Sequence, residues 1–225
     1  MKIQTVKLSF VIIMSLLATV FTSCDSEEED LINPPVILYP EKLVNVSNIR
    51  MFTDKIEITD KNKIAQFIDG TEYFDLSDNS SIKDSTTRLF FHSKDSIIFG
   101  NNSFGYNVKK ENKRFLFYSP PYIFRGDPKS ILFQMQKYTT EPTRIYYQSD
   151  SYITREIRVA YGSYSDLELC CLTYKISKNN KSPYGSSYSR LSGRVLNEFD
   201  PKVINTLGGY DTLAIQEYRV KFRAK

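Results

Sequence analysis

The residues of this chain that could make or break bonds are few, and their spacing narrows the chemistry open to them. His92 is the one histidine in 225 residues, so a Ser-His-Asp or Cys-His relay would have to run through it. It lies between an apolar run at 89–91 and Ser93-Lys94-Asp95-Ser96, where a hairpin turn is expected and the ring is solvated. No G-x-S-x-G elbow presents a serine, and the nine glycines form no G-x-x-x-x-G-K-[ST] loop and no G-x-G-x-x-G turn. Cys170 and Cys171 are adjacent, so on a strand their thiols point to opposite faces; two small buried side chains are expected, with a strained vicinal disulfide as the alternative. With these ligands zinc would need carboxylates for most of its shell. Asp75, Asp78, Asn79 and Asp84 in DLSDNSSIKDS offer oxygens to calcium but lack the glycine and spacing of an EF-hand, and read as a solvated loop. Paired carboxylates for glycoside hydrolysis can come from anywhere in a fold; against them stands the absence of tryptophan, the ring that most often stacks on sugars. The expectation is a protein with no catalytic residue, no metal and no cofactor.

Cys24 has the clearest covalent chemistry. Lys2 and Lys7 precede an apolar run over 8–21, the layout of a secretory leader, and the run falls short of the ~20 residues that a bilayer span needs. Phe21-Thr22-Ser23-Cys24 resembles the bacterial lipobox, with phenylalanine where an aliphatic residue is usual. The resemblance implies that 1–23 is a lipoprotein signal peptide and that Cys24 becomes the acylated N-terminus, held to a membrane by its lipid. Each buried methylene contributes ~0.8 kcal/mol, so several acyl chains anchor durably where one does not. Asp25, Glu27, Glu28, Glu29 and Asp30 follow at once, a run similar to the surface-export signal of Bacteroidota lipoproteins. A solvated tether and an inner-membrane retention signal at Asp25 are the competing readings. The implied address is the cell envelope, as an outer-membrane lipoprotein exposed at the surface.

Beyond an acidic and proline-containing tether (24–35), residues 36–225 read as one β domain. Short alternating segments at 43–52, 56–58, 89–91, 97–99, 104–108, 114–118, 130–138, 153–161, 167–176 and 188–196 are separated by polar turns. From Leu169 onward the 167–176 segment is largely apolar on both parities and is expected to be covered on both faces. In TLAIQEYRVKF, Leu213 and Ile215 are odd while Tyr218, Val220 and Phe222 are even; placing all five in one core predicts a β-bulge near Gln216 and Glu217. Asp60 or Thr59 can cap a helix with Ile64, Phe67 and Ile68 on one face and Gly70 at its end. Asp200, Pro201 and the stripe Val203, Ile204 and Leu207 predict a second helix, stopped by Gly208 or Gly209. The fold class is therefore all-β, a single antiparallel β-barrel or a β-sandwich with one or two short helices. A short helix before the final strand resembles the lipocalin layout; the early helix departs from it and leaves the sandwich open. The segments IRMFTDKIEITDKNKIAQFI and GRVLNEFDPKVINTLGGYDTLAIQEYRVKF also resemble parts of uncharacterised Bacteroidota lipoproteins, which implies a surface or periplasmic β domain and brings no activity.

The net charge of +4 is spread thinly, and KKENKR at 109–114 is the densest basic patch, so nucleic acid is not an expected partner. The residue in surplus is tyrosine, 16 beside 15 phenylalanines. Tyr146, Tyr147 and Tyr152 surround one turn, Tyr161 and Tyr164 the next, and Tyr184 and Tyr188 sit in a Gly/Ser loop. If these turns share an end of the fold, Tyr146, Tyr147, Tyr152, Tyr164, Tyr184 and Tyr188 form a candidate surface for a small molecule, a glycan or an envelope protein; the bland reading is that tyrosine is a good strand residue. The leading functional expectation is a lipid-anchored, non-catalytic envelope protein that binds a ligand or partner, as accessory to a surface or uptake complex. The alternatives are a lipocalin-like carrier of a small apolar ligand and a carbohydrate-active hydrolase. Oligomeric state is left open.

Overall fold

Alternating apolar residues build the wall of a closed barrel. The computed structural model describes residues 32–76, 88–100, 104–145, 151–182 and 185–225, and of 179–182 and 185–189 it describes the backbone. In chain order these form β1 (Val36–Val44), β2 (Arg50–Thr53), β3 (Ile56–Ile58), α1 (Lys61–Ile68) and a 3-10 turn (Glu72–Phe74). Next come β4 (Leu89–Ser93), β5 (Ser96–Phe99), β6 (Tyr106–Glu111), β7 (Arg114–Tyr118), β8 (Tyr122–Arg125), α2 (Ile131–Gln134), β9 (Thr143–Arg144) and β10 (Ser151–Thr154). The rest is β11 (Ile157–Gly162), β12 (Asp166–Ser182), β13 (Gly185–Val195), a 3-10 helix (Pro201–Thr206) and β14 (Thr212–Ala224).

Eight antiparallel strands close the ring in the order β1, β4, β5, β6, β7, β11, β12, β14, with β14 returning to β1. The ring follows chain order, so this is an up-and-down barrel, not a sandwich, and the other elements are insertions at one of its ends. β12 and β14 are longer than the wall requires. They pair from Asp166↔Arg223 to Ser177↔Thr212, while β13 replaces β11 on the far edge of β12 and β2 replaces β1 on the far edge of β14. The two strands thus leave the barrel as the centre of an outer sheet, β13-β12-β14-β2-β3.

This geometry overturns the expected bulge. The β12–β14 register has no shift along its length. Tyr218, Val220 and Phe222 face the barrel interior, whereas Leu213 and Ile215 lie on the opposite face with Leu172, Tyr174 and Ile176, under Phe199, Val203 and Leu207. One regular strand serves two cores, one on each face, and no extra residue is needed. The irregularities fall elsewhere, at Glu41 in β1 and His92 in β4. The expected covering of both faces of β12 holds for the same reason.

The helices differ in detail from expectation. Asp60 caps α1, accepting from Asn62 N at 2.9 Å and Lys63 N at 3.2 Å; Gly70, at φ +68°, follows its end, and Ile64, Phe67 and Ile68 pack toward Met51, Phe74 and Ala214. Asp200 caps the later helix through Lys202 N at 2.9 Å, but its bonds run i to i+3, as in Val203 N to Asp200 O, so it is 3-10 and not α. Residues 130–138, expected as a strand, hold α2. Ile131 and Met135 are four apart and both buried, a spacing that fits either period, and the Asp127 side chain accepting from Lys129 N starts the turn. Residues 43–52 split into β1 and β2 around a loop, and 153–161 splits into β10 and β11. That split leaves Ile153 46 % exposed, opposite Ile123 in the small sheet β8-β10-β9.

Rings fill the barrel. Phe91, Phe99, Tyr106, Phe115 and Phe117 are essentially inaccessible, and Phe99 meets Tyr106 at 4.9 Å and Phe117 at 5.3 Å, both edge-on. At the end carrying the insertions, Arg158 stacks over Phe99 at 4.4 Å and Tyr106 at 4.5 Å and donates to Glu156 at 2.8 Å. The opposite end, formed by the tight β4–β5, β6–β7 and β11–β12 turns, is stoppered by Tyr164, whose ring stands edge-on to Phe91 and Phe115.

Candidate functional site: a groove among the insertions

The larger of the two cavities described lies outside the barrel, a groove of about 550 Å³. One wall is α2 with the loop that follows it, carrying Phe133, Gln134, Thr139 and Glu141; the other is the 3-10 helix, with Lys202 and Thr206. The walls are tied by backbone. Asp200 N donates to Met135 O at 2.8 Å, Lys137 N donates to Glu198 O at 2.9 Å, and Gln136 forms a bridge with Phe199. Beneath them Ile131, Met135, Phe199 and Val203 pack into the core of the outer sheet, so a rigid base holds the groove.

The groove is lined by hydrogen-bonding groups between apolar Phe133, Pro128 and Pro142. Gln134 Oε1 is buried with no hydrogen-bond partner among the described residues, while Gln136 Nε2 donates to Leu132 O at 3.1 Å. Lys137, part of the lining, donates to Glu198 Oε2 at 2.7 Å, and outside the groove the Tyr161 hydroxyl donates to Glu198 Oε1 at 2.8 Å. Burial alone would raise the Glu198 carboxyl; the bonds from Lys137 and Tyr161 outweigh it and hold the group below the ordinary carboxylate range. Burial, then the bond to Glu198, pushes the Tyr161 phenol up. Both oxygens of Glu198 are engaged by neighbours, so it acts as a fixed anion.

Glu198 itself lines the second cavity, about 220 Å³, with Ser47, Cys170, Asn197, Glu217 and Arg219. Arg219 donates to Glu168 at 3.1 Å and stacks over Tyr161 at 4.5 Å. Cys170 and Cys171 are free and buried on opposite faces of β12. Burial raises both thiols, Cys171 to about 12, which keeps them protonated and poorly nucleophilic at neutral pH. His92 is exposed beside Phe90, with ring centres 4.7 Å apart. Among the described residues no three His, Cys, Asp or Glu are grouped to hold a metal ion.

Among the candidate tyrosines that are described, Tyr164 lies apart from Tyr152 and Tyr188. Tyr164 is 4 % exposed inside the barrel at its turn end, which corrects its expected place in a binding loop: the ring has more to gain from Phe91 and Phe115 than from water. Tyr152 is half-buried in β10 among the insertions, and Tyr188 lies on β13, paired with Asn179. Tyr146, Tyr147 and Tyr184 lie outside the described residues, as do Cys24 and the acidic run. Sequence reasoning missed the groove because its residues are ordinary threonines and glutamines. The available signal was punctuation, with Asp127-Pro128 and Glu141-Pro142 bracketing an insertion between two wall strands.

An all-antiparallel up-and-down β-barrel with a groove among its insertions is the class that the fold and site define. No family model, no curated protein and no solved structure matches the chain.

Proposed function

We propose that this chain is a lipid-anchored, non-catalytic protein of the cell envelope, tethered to the outer membrane through Cys24 and displayed at the surface, whose β domain binds a ligand or partner in the groove beside the barrel. The supporting observation is the division of space within the fold: rings fill the barrel, and the room for a bound molecule lies among the insertions. The filled interior weighs against the carrier reading, in which an apolar ligand sits inside the barrel. The leader and the cysteine at its end support the anchor. No helix among the described residues is long and apolar enough to cross a membrane.

Two measurements test this. Cys24→Ser followed by membrane fractionation in high salt, which strips association by charge alone, should release the protein; a variant that stays with membranes overturns the anchor. Native mass of the protein gently extracted from its own envelope should show an added ligand or partner beyond the lipid, lost in Gln134→Lys with Thr139→Lys. A bare mass, or an added mass indifferent to those substitutions, overturns tight binding in the groove.

A further inference from the structure

The turn end of the barrel is positively charged, and it is the end at which the described chain begins. β1 starts there at Val36, opposite Phe91 near the β4–β5 turn, and β14 ends there with Ala224 opposite Leu38. Two acids at this end are each shared by two cations, while Asp95, beside Lys94 in the β4–β5 turn, is exposed and has no ion pair with a described residue. Glu111 is shared by Lys109 and Arg114, and Asp166 by Lys221 and Arg223, the latter also reaching Glu41. Lys94 and Lys113, at the tips of the β4–β5 and β6–β7 turns, are exposed and have no ion pair with a described residue. Lys225 is also exposed, with its ammonium over the Tyr39 ring at 4.7 Å, and Lys110 spreads over Phe115 and Tyr164 across the mouth of the barrel.

We propose that this end is a docking face for an anionic phospholipid surface, with Lys94 and Lys113 as its foremost contacts. The proposal rests on the lipid-anchor reading for its occupant: an extended chain from Cys24 to Val36 spans only about 40 Å, so a membrane is the one large surface always within reach. Phosphate headgroups complement the surplus cations, and the tight turns present them on a blunt face without an apolar wedge. Binding is therefore electrostatic, fades beyond a Debye length of about 8 Å and is reversed by salt. It sets the barrel upright on the membrane, with the groove held away from it.

The test uses the mature chain carrying Cys24→Ser, made without leader or lipid, so that anchoring and face binding are read separately. It is mixed at low salt with vesicles of phosphatidylcholine containing phosphatidylglycerol and, in parallel, with phosphatidylcholine alone. Sedimentation should show partitioning to the anionic vesicles only. Lys94→Gln with Lys113→Gln should weaken it at least about tenfold, whereas Lys61→Gln with Lys63→Gln, on exposed positions of α1 at the other end, should leave it unchanged. Equal behaviour toward both vesicle types, no partitioning to either, or equal losses in the two paired variants would overturn the proposal while leaving the anchor to the fractionation result.

Discussion

The Tyr164 ring meets the Phe91 ring edge-on at 5.1 Å, and its hydroxyl donates to the carbonyl of Lys94 at 3.2 Å. One side chain therefore stoppers the barrel and ties the β11–β12 turn to the β4–β5 turn. We expect Tyr164→Ala to cost about 3–5 kcal/mol, as large-to-small changes of buried rings do. Tyr164→Phe, which keeps the ring and loses the hydrogen bond, should cost about 1 kcal/mol. Urea titration of the three proteins separates the two contributions; near-equal losses would mean that the tie between turns matters more than the packing.

Gly162 closes the same end by another route. Its φ of +126° is open to glycine, and a Cβ there would stand 2.1 Å from the Asp166 carbonyl oxygen, while its own N–H bonds to Lys113 O at 2.7 Å. Gly162→Ala should destabilise by more than about 3 kcal/mol, visible as a lowered melting temperature.

A continuous register in β14 makes an insertion test. An alanine added between Gln216 and Glu217 would suit a strand that needed a bulge there. In the observed strand it shifts one set of side chains off its core, and a loss above about 3 kcal/mol in chemical denaturation is expected.

Glu198 gives the fold an acid limit. Its carboxyl is held below the ordinary carboxylate range, so its contribution to stability is fully present above the unfolded-chain pKa and is lost as pH falls through the lower folded one. Glu198→Gln should flatten the stability profile below about pH 4.5 relative to wild type, measured by urea titration across the acid range. An unchanged acid slope would place the acid sensitivity in other carboxylates.

The two adjacent thiols should be silent toward a disulfide-exchange reagent in the native protein at neutral pH and react on denaturation, because burial raises both. Fast native labelling would show that β12 opens locally.

How far the chain could be read depended on which residues answer to local rules. The β4–β5 turn, β7 and the Asp60 cap follow from alternation and capping chemistry among neighbours. The two-sided burial of β12 was visible because both parities from Leu169 to Ile176 are largely apolar, with Leu169 and Cys171 on one and Cys170, Leu172, Tyr174 and Ile176 on the other. The phase of β14 misled because parity tells which residues share a face and is silent on what covers that face: Leu213 and Tyr218 each lie in a core, but in different ones. Helix and strand are indistinguishable in an apolar run as short as Ile131, Leu132 and Phe133. The groove was not legible, since Gln134 and Lys202 are brought together by packing between insertions 68 positions apart.

The pairing of β1 with β14 joins the first wall strand to the last. During synthesis the ring has no closing partner until Thr212–Ala224 has emerged, and until then β1 and β12 each keep an open edge. Closure across so long a loop is slow. A chain of this topology leaves the ribosome with its ring still open and seals only once its final strand arrives.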